Sequence, residues 1–371
     1  MKNQENSALI PLIREDLRQN FTPYSSAASE MGKIDGAHYL NANENPYPFK
    51  GLEGYERYDV QQPPALIAAI AKNYQTHKDY IVATRGSDES IDLLIRMFCA
   101  AGRDAILTCP PTFGMYKIYG SLQGAKDVQV PLLQESLNFS LDVESIIKTA
   151  KDPQQHIKLM FLCCPNSPTG NLFPPTDIEK IIQELEGYAA VVVDEAYINF
   201  TRQDSFVQKL EQFPNLIVLR TLSKIHALAG ERIGCAVCAD TAFTTFMRGC
   251  LAPYPVPKSV AQNAVEALRQ AEERQEEMVC KIVKSRQILA EAFTQCPDVE
   301  CVYPSETNFL LVKFISYNAA QHFIKQAAAK NIILRDISAK EDTQNCLRIS
   351  VGTEEENEML IHLAETIAKA A

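Results

Sequence analysis

The sequence has no run of five or more basic residues, and 36 Lys and Arg against 46 Asp and Glu leave a formal charge of −10. It therefore lacks the footprint of a nucleic-acid binder, and any recognition of anions must come from a few placed cations. No apolar stretch approaches the ~20 residues of a membrane span. The most apolar run, around Gly187 to Val193, ends in Asp194-Glu195 and reads as a buried strand. No apolar segment follows the polar start Met1-Lys2-Asn3-Gln4-Glu5-Asn6, so no signal peptide is expected. No G-x-G-x-x-G follows a strand, which argues against a dinucleotide site. Eleven cysteines, an odd number, are scattered through apolar segments such as Phe161-Leu162-Cys163-Cys164, as in a reduced, cytoplasmic protein. Cys235 and Cys238 form a lone C-x-x-C with no second pair, so a four-ligand zinc site is unsupported. Internal repeats and low-complexity segments are also missing.

What is present is a globular chain of 371 residues, 46% apolar and 22% charged. It is long enough for two domains, or one large domain with an appendage. The first 60 residues are rich in Asn, Pro, Tyr and Gly without a sustained period, and read as an extended arm with short elements. A helix starts at Pro63-Pro64 with Leu66, Ile67, Ile70 and Tyr74 on one face. Strands then recur at Tyr80 to Ala83, Ala105 to Cys109, Val128 to Leu132, Lys158 to Cys164, Ala189 to Val193, Leu216 to Leu219 and Ile233 to Cys238. Helical patterns such as Thr176 to Leu185 and Thr241 to Cys250 separate most of them. Runs apolar on both faces, alternating with amphipathic helices, predict a mostly parallel sheet covered on both sides by helices. A charged helical stretch from Ser259 to Gln295 leads to a smaller α+β region. Its strands are expected at Asn308 to Phe314, Ile332 to Leu334 and Leu347 to Val351, and its helices at Ala319 to Ala329 and Glu355 to Lys369. The division is residues 1–60 as an arm and part of the small domain, 61–257 as the large α/β domain, and 258–371 as the small C-terminal domain.

In an open parallel sheet, ligands sit beyond the carboxyl ends of the strands, so the residues just after each strand carry the information. Gly86-Ser87-Asp88 opens a helix whose free N–H groups suit a phosphate, although the same residues also make an ordinary cap. Pro110 to Tyr116 turns an aromatic, Phe113, toward the sheet end. Pro165-Asn166-Ser167-Pro168-Thr169-Gly170 is a rigid loop of the kind that builds fixed polar contacts. Asp194 emerges from a buried strand and needs a donor or a cation unless it turns to water. Lys224, preceded by Thr221 and Ser223 and followed by Arg232, can serve as an amine nucleophile beside an anion site, or lie solvated on the surface. Together these are the parts that hold pyridoxal 5'-phosphate: an amine to bond its aldehyde, a carboxylate for its ring nitrogen, an aromatic to stack, and hydroxyls, amides and Arg for its phosphate.

At these positions the chain is similar to the fold-type I pyridoxal-phosphate aminotransferases, and among them it resembles the histidinol-phosphate aminotransferase family. The matches run from Thr22-Pro23-Tyr24 and Leu40 to Pro46 through Arg57-Tyr58, Arg85 to Glu89, Cys109 to Tyr116, Asp194 to Tyr197 and Thr221 to Gly234. They continue through Ala252 to Pro255, Glu306 to Asn308, Ile333 to Asp336 and Leu347 to Thr353. The resemblance implies that Lys224 bonds the cofactor and then moves the substrate proton, that Asp194 pairs with the ring nitrogen, and that Tyr197 bonds the ring hydroxyl. It also implies that the amides of Ser87 and Asp88, with Thr221, Ser223 and Arg232, hold the phosphate. Tyr58 would reach over from a second subunit, which makes a homodimer part of the site. Arg348 matches the family's carboxylate-binding arginine, with Arg335, Tyr24, Asn308 and Tyr254 as neighbours in the substrate pocket. Two positions depart from the commonest pattern: Ser167 stands where an Asn usually bonds the ring hydroxyl, and Phe113 where the stacking ring is often Tyr. His226 reads as packing.

The reaction so implied converts L-histidinol phosphate and 2-oxoglutarate into imidazole acetol phosphate and L-glutamate, in histidine biosynthesis. An aromatic amino-acid aminotransferase and a threonine-phosphate decarboxylase stay open on the same scaffold. A non-enzymatic regulator would need a DNA-binding extension, for which there is neither spare length nor basic charge.

Overall fold

Valine-rich runs that are apolar on both faces can be satisfied only by cover on both sides, and that requirement organises the molecule. In the computed structural model, which describes residues 7–23, 38 and 40–370, strands β1 (Ile81–Thr84), β2 (Ala105–Thr108), β3 (Lys126–Gln129), β6 (Ile157–Cys163), β7 (Ala190–Asp194), β8 (Leu216–Thr221) and β9 (Gly234–Val237) form one seven-stranded sheet. Its order is β1-β9-β8-β7-β6-β2-β3, and β9 alone runs against its neighbours. The sheet is therefore mostly parallel, as the sequence predicts. Val191, Val192 and Val193 in β7 are fully buried, each contributing roughly 1.5–3 kcal/mol.

Helices cover both faces. One layer of core gathers Leu66 and Ile70 of α2 (Pro64–Tyr74) with Ile146 of α5 (Val143–Lys151) and Ile178 of α6 (Pro175–Glu184). The other gathers Ile91, Leu94 and Phe98 of α3 (Gly86–Phe98), Tyr116 of α4 (Met115–Gln123) and Phe243 of α7 (Thr241–Cys250). Leu9, Ile10, Leu12 and Ile13, just before the short helix α1 (Glu15–Asn20), join this second layer.

The 37-residue helix α8 (Lys258–Thr294) runs from the large sheet to a four-stranded antiparallel sheet of order β10-β11-β13-β12. Those strands are β10 (Val299–Val302), β11 (Phe309–Phe314), β12 (Arg335–Asp336) and β13 (Cys346–Ser350), packed under α9 (Tyr317–Ala329) and α10 (Glu354–Ala370). Among the described residues, no helix is long and apolar enough to cross a membrane.

Three details differ from the sequence reading. Ile332 to Leu334 is not a strand: Ile332 and Leu334 pack against the small core while Ile333 is 85% exposed, and pairing with β13 begins only at Arg335. The predicted strand at Val128 to Leu132 starts two residues earlier and ends three earlier, because Val130 and Leu132 are buried in the irregular segment that follows Gln129. A hairpin of β4 (Leu133–Glu135) and β5 (Asn138–Ser140), too short and exposed to show a period, inserts next.

Candidate active site

The carboxyl ends of β6, β7 and β8 and the start of α3 open onto one cavity of about 120 Å³. Ten of the expected site residues line it: Ser87, Asp88, Phe113, Ser167, Asp194, Tyr197, Thr221, Ser223, Lys224 and Arg232. At its floor, Asp194 ends β7, whose burial forces the carboxylate to find partners inside the protein. Its Oδ1 accepts the Ala196 N–H at 3.1 Å and its Oδ2 accepts the Tyr116 hydroxyl at 2.9 Å. Burial still pushes Asp194 up to about 6, against the pull of these two donors.

Lys224 stands in the turn after β8, its Nζ 5.5 Å from the centre of the Tyr197 ring. Burial, and then the Arg348 guanidinium, push its ammonium below the ordinary lysine range, which favours the neutral, nucleophilic amine. Tyr197 meets Phe309 edge-on at 5.2 Å, and burial lifts its phenol to about 12, so it remains a proton donor.

The other end of the cavity gathers donors of the kind that suit an anion. Ser87 and Asp88 lie in the first turn of α3, where N–H groups lack helical partners. Thr221 Oγ1 donates to Ser223 Oγ at 3.0 Å, and Arg232 Nη2 reaches Asp88 Oδ2 at 3.0 Å. Two glycines make this crowding possible. A Cβ on Gly86, whose φ is +74°, would lie 2.7 Å from Arg232 Nη2. One on Gly234 would lie 2.6 Å from the Ser87 nitrogen and 2.8 Å from the Arg220 carbonyl oxygen. Donors at one end, a carboxylate at the floor, an amine between them and the Phe113 ring at the side fit a phosphorylated pyridine aldehyde.

Arg348 stands in β13 of the smaller sheet, with its guanidinium 5.4 Å from the Phe309 ring centre, and donates from Nη1 to Ser167 Oγ at 3.2 Å. Arg335 faces it in the β12–β13 register, and both line a neighbouring depression of about 380 Å³. Asn308 leads into β11, its carbonyl accepting the Val351 N–H at 2.9 Å. Tyr58 and Tyr254 do not line the cavity; their rings stack on each other at 4.2 Å. Tyr24 lies outside the described residues. His226 is buried with neither ring nitrogen bonded, and burial pushes it down to about 4, as befits a packed neutral ring.

The sequence reading missed Tyr116, the phenol that holds Asp194, and Cys163, which lines the cavity wall. Nothing local marks Tyr116, because its contact depends on a ring that reaches from α4, which packs on β2 and β3, over Phe161 of β6 to the end of β7. Among the described residues, no group of three or more His, Cys, Asp or Glu is placed to hold a metal ion.

Comparison with known proteins agrees with this geometry. A family profile described as "Aminotransferase class I and II" matches residues 43–363. A protein of Xylella fastidiosa (strain 9a5c) named histidinol-phosphate aminotransferase is 40% identical over 368 residues, covering 98% of both chains. One of the same name from Stenotrophomonas maltophilia (strain R551-3) is 40% identical over 362 residues, 97% of each chain. Among solved structures, the histidinol-phosphate aminotransferase of Sinorhizobium meliloti in complex with pyridoxal-5'-phosphate superposes with a TM-score of 0.76 at 23% identity, covering 85% of this chain and 84% of that one. The enzyme of the same name from Clostridium acetobutylicum gives 0.74 at 21%, covering 83% and 89%; at such identities these two establish the fold. A chain matched so fully by sequence belongs to the class I and II aminotransferases, in the branch whose curated members are the histidinol-phosphate aminotransferases.

Proposed function

We propose that the protein moves an amino group between L-histidinol phosphate and 2-oxoglutarate, forming imidazole acetol phosphate and L-glutamate, with pyridoxal 5'-phosphate as cofactor. The observation that carries this reading is the 40% identity, over 98% of the chain, to a protein bearing that name. When bound, the cofactor supplies an aldehyde to take up amines and a protonated ring to draw electrons from the substrate carbon. Ser87, Asp88, Thr221, Ser223 and Arg232 would hold its phosphate, Phe113 its ring face, Asp194 its ring nitrogen, and Tyr197, with Ser167 nearby, its ring hydroxyl. Lys224 Nζ would bond the cofactor's aldehyde and, as a free amine, would take a proton from the substrate carbon and give it back. Tyr197 would serve as a donor to the ring hydroxyl, since burial lifts its phenol to about 12.

Substrate anions fall to Arg348, with Arg335 opposite it in the β12–β13 register; the family resemblance adds Asn308, Tyr254 and Tyr24 to this role. A planar guanidinium presents paired donors to a carboxylate or a phosphate alike, so a single pocket can serve both half-reactions. The working form is a homodimer in which Tyr58 serves the partner's cofactor; the 56% exposure of this ring suits a residue that acts outside its own chain. Residues 61–257 form the cofactor domain and 258–371 the small domain that carries Arg348. The compartment is the cytoplasm, in keeping with eleven free thiols, eight of them buried.

An assay that couples glutamate formation to histidinol phosphate and 2-oxoglutarate tests the reading. Turnover with histidinol phosphate at least tenfold above that with phenylalanine or tyrosine supports it. Higher turnover with the aromatic amino acids, or release of carbon dioxide from threonine phosphate, replaces it with one of the other two activities.

A further inference from the structure

Tyr116 is wholly buried in α4 and does not line the cavity, yet its hydroxyl donates to Asp194 Oδ2 at 2.9 Å. Its ring is fixed by aromatic contacts, stacked on Phe161 at 4.7 Å and 12° and edge-on to Phe113 at 5.5 Å and 81°. Cys163 Sγ also lies within reach of this hydroxyl and sends its own proton to the Pro165 carbonyl at 3.4 Å, but a thiol sulfur is a far weaker acceptor than a carboxylate. The phenol proton is thus committed to Asp194. With Ala196 N–H on Oδ1, each carboxylate oxygen has one donor supplied by the protein.

We infer that Tyr116 is a positioning residue for the proposed chemistry: its hydroxyl keeps Asp194 in the carboxylate form and thereby leaves the proton on the ring nitrogen of the bound cofactor. This rests on the reading of the cavity as a pyridoxal-phosphate site. Asp194 and the ring nitrogen are two bases that share one proton, so whatever makes the carboxylate a stronger base takes the proton off the ring. Burial already works in that direction, and so does Asp88 from α3. Glu195, next along the chain, adds a second buried acid, which Arg220 faces. Against them stand Tyr116, the Ala196 N–H and Lys224. Cys163 and Tyr197, also close, are held neutral by burial. A hydrogen bond to a charged acceptor changes proton affinity by about tenfold or more, enough to bias which of two bases holds a shared proton.

The test uses the full-length protein loaded with pyridoxal phosphate labelled with nitrogen-15 in the ring, read by the nitrogen chemical shift against pH. Tyr116→Phe keeps the ring stack and removes only the donor. In this variant the nitrogen shift should move toward that of an unprotonated ring, with the ratio of unprotonated to protonated ring nitrogen at neutral pH at least tenfold higher than in the unaltered protein. Replacing Tyr116 by 3-fluorotyrosine, a more acidic phenol and a stronger donor, should move the titration the opposite way; if the Phe variant does not fold, this comparison decides alone. Phe161→Leu, which loosens the same stack and leaves the hydroxyl, should not move it. Titrations that overlay in the Phe and fluorotyrosine proteins, or an equal shift in Phe161→Leu, overturn the inference. Failure of the cofactor to attach to Lys224 at all would instead overturn the reading of the site, and borohydride trapping on the same samples separates the two cases.

Discussion

The guanidinium of Arg348 donates to the hydroxyl of Ser167 across 3.2 Å, joining a strand of the smaller sheet to the loop that follows β6 of the larger one. The arginine proposed to bind substrate anions is therefore anchored on a residue that lines the candidate cofactor cavity. Ser167→Ala should leave that guanidinium without its anchor. Hydrogen bonds to charged groups are worth roughly 1.5–3 kcal/mol, so KM for glutamate should rise by about tenfold, with a smaller change in kcat. Steady-state kinetics on the purified variant check this, and an unchanged KM would show that the anchor is idle.

The same arginine should serve both half-reactions. Arg348→Ala is expected to lower kcat/KM for glutamate and for histidinol phosphate alike, each by on the order of 2 kcal/mol or more. Arg335, opposite it in the β12–β13 register and exposed, should discriminate between the substrates when replaced by Ala. Stopped-flow measurement of each half-reaction separates the cases: loss of only one half-reaction in Arg348→Ala contradicts the shared pocket.

Two glycines set a graded expectation at the phosphate end. In Gly86→Ala the new methyl meets the end of the Arg232 side chain, which can swing aside, and the left-handed backbone costs about 1–2 kcal/mol. In Gly234→Ala it meets backbone atoms of Ser87, Gly86 and Arg220 within 2.8 Å, none of which can move alone. Denaturant unfolding should rank Gly234→Ala as clearly the less stable, and both variants should bind pyridoxal phosphate more weakly. Equal stabilities would mean that β9 is not packed this tightly on α3.

Asp194 gives a prediction in pH. Burial raises it from 3.8 to about 6, so its contribution to stability is complete below pH 3.8 and is lost as pH rises through 6. Near pH 7.5 the cofactor-free protein should carry a cost of up to about 3 kcal/mol from this charge. Asp194→Asn should accordingly stabilise the cofactor-free protein at pH 7.5, with a difference that fades toward pH 4, while it weakens retention of the cofactor. Urea unfolding at the two pH values reads this, and a difference independent of pH would contradict it.

Much of the fold follows from local pattern. The apolar run that becomes β7, the periodicity of α3 and the uninterrupted amphipathic stretch of α8 each occupy one continuous segment, and burial of that segment dictates its form. The cavity lining is legible for a related reason: strands of one direction bring the residues after them to one edge, and ten of the expected residues meet there. What depends on the order of strands in space is not legible. Tyr116 finds Asp194 only because α4, packed on β2 and β3, sends its ring over Phe161 of β6 to the end of β7, and Arg348 finds Ser167 only because the smaller sheet docks against the larger. Ile332 to Leu334 misleads because apolar alternation also suits a segment that rests on a core without a pairing strand.

The claim on which the rest depends is that Lys224 holds the cofactor and releases it to an amino donor. Borohydride reduction of the loaded protein, followed by peptide mapping, measures this most directly. The account predicts a phosphopyridoxyl group on the peptide containing Lys224 when no amino donor is present, and its loss from that peptide after preincubation with glutamate. A label on another lysine, or a label on Lys224 that glutamate does not remove, would contradict it.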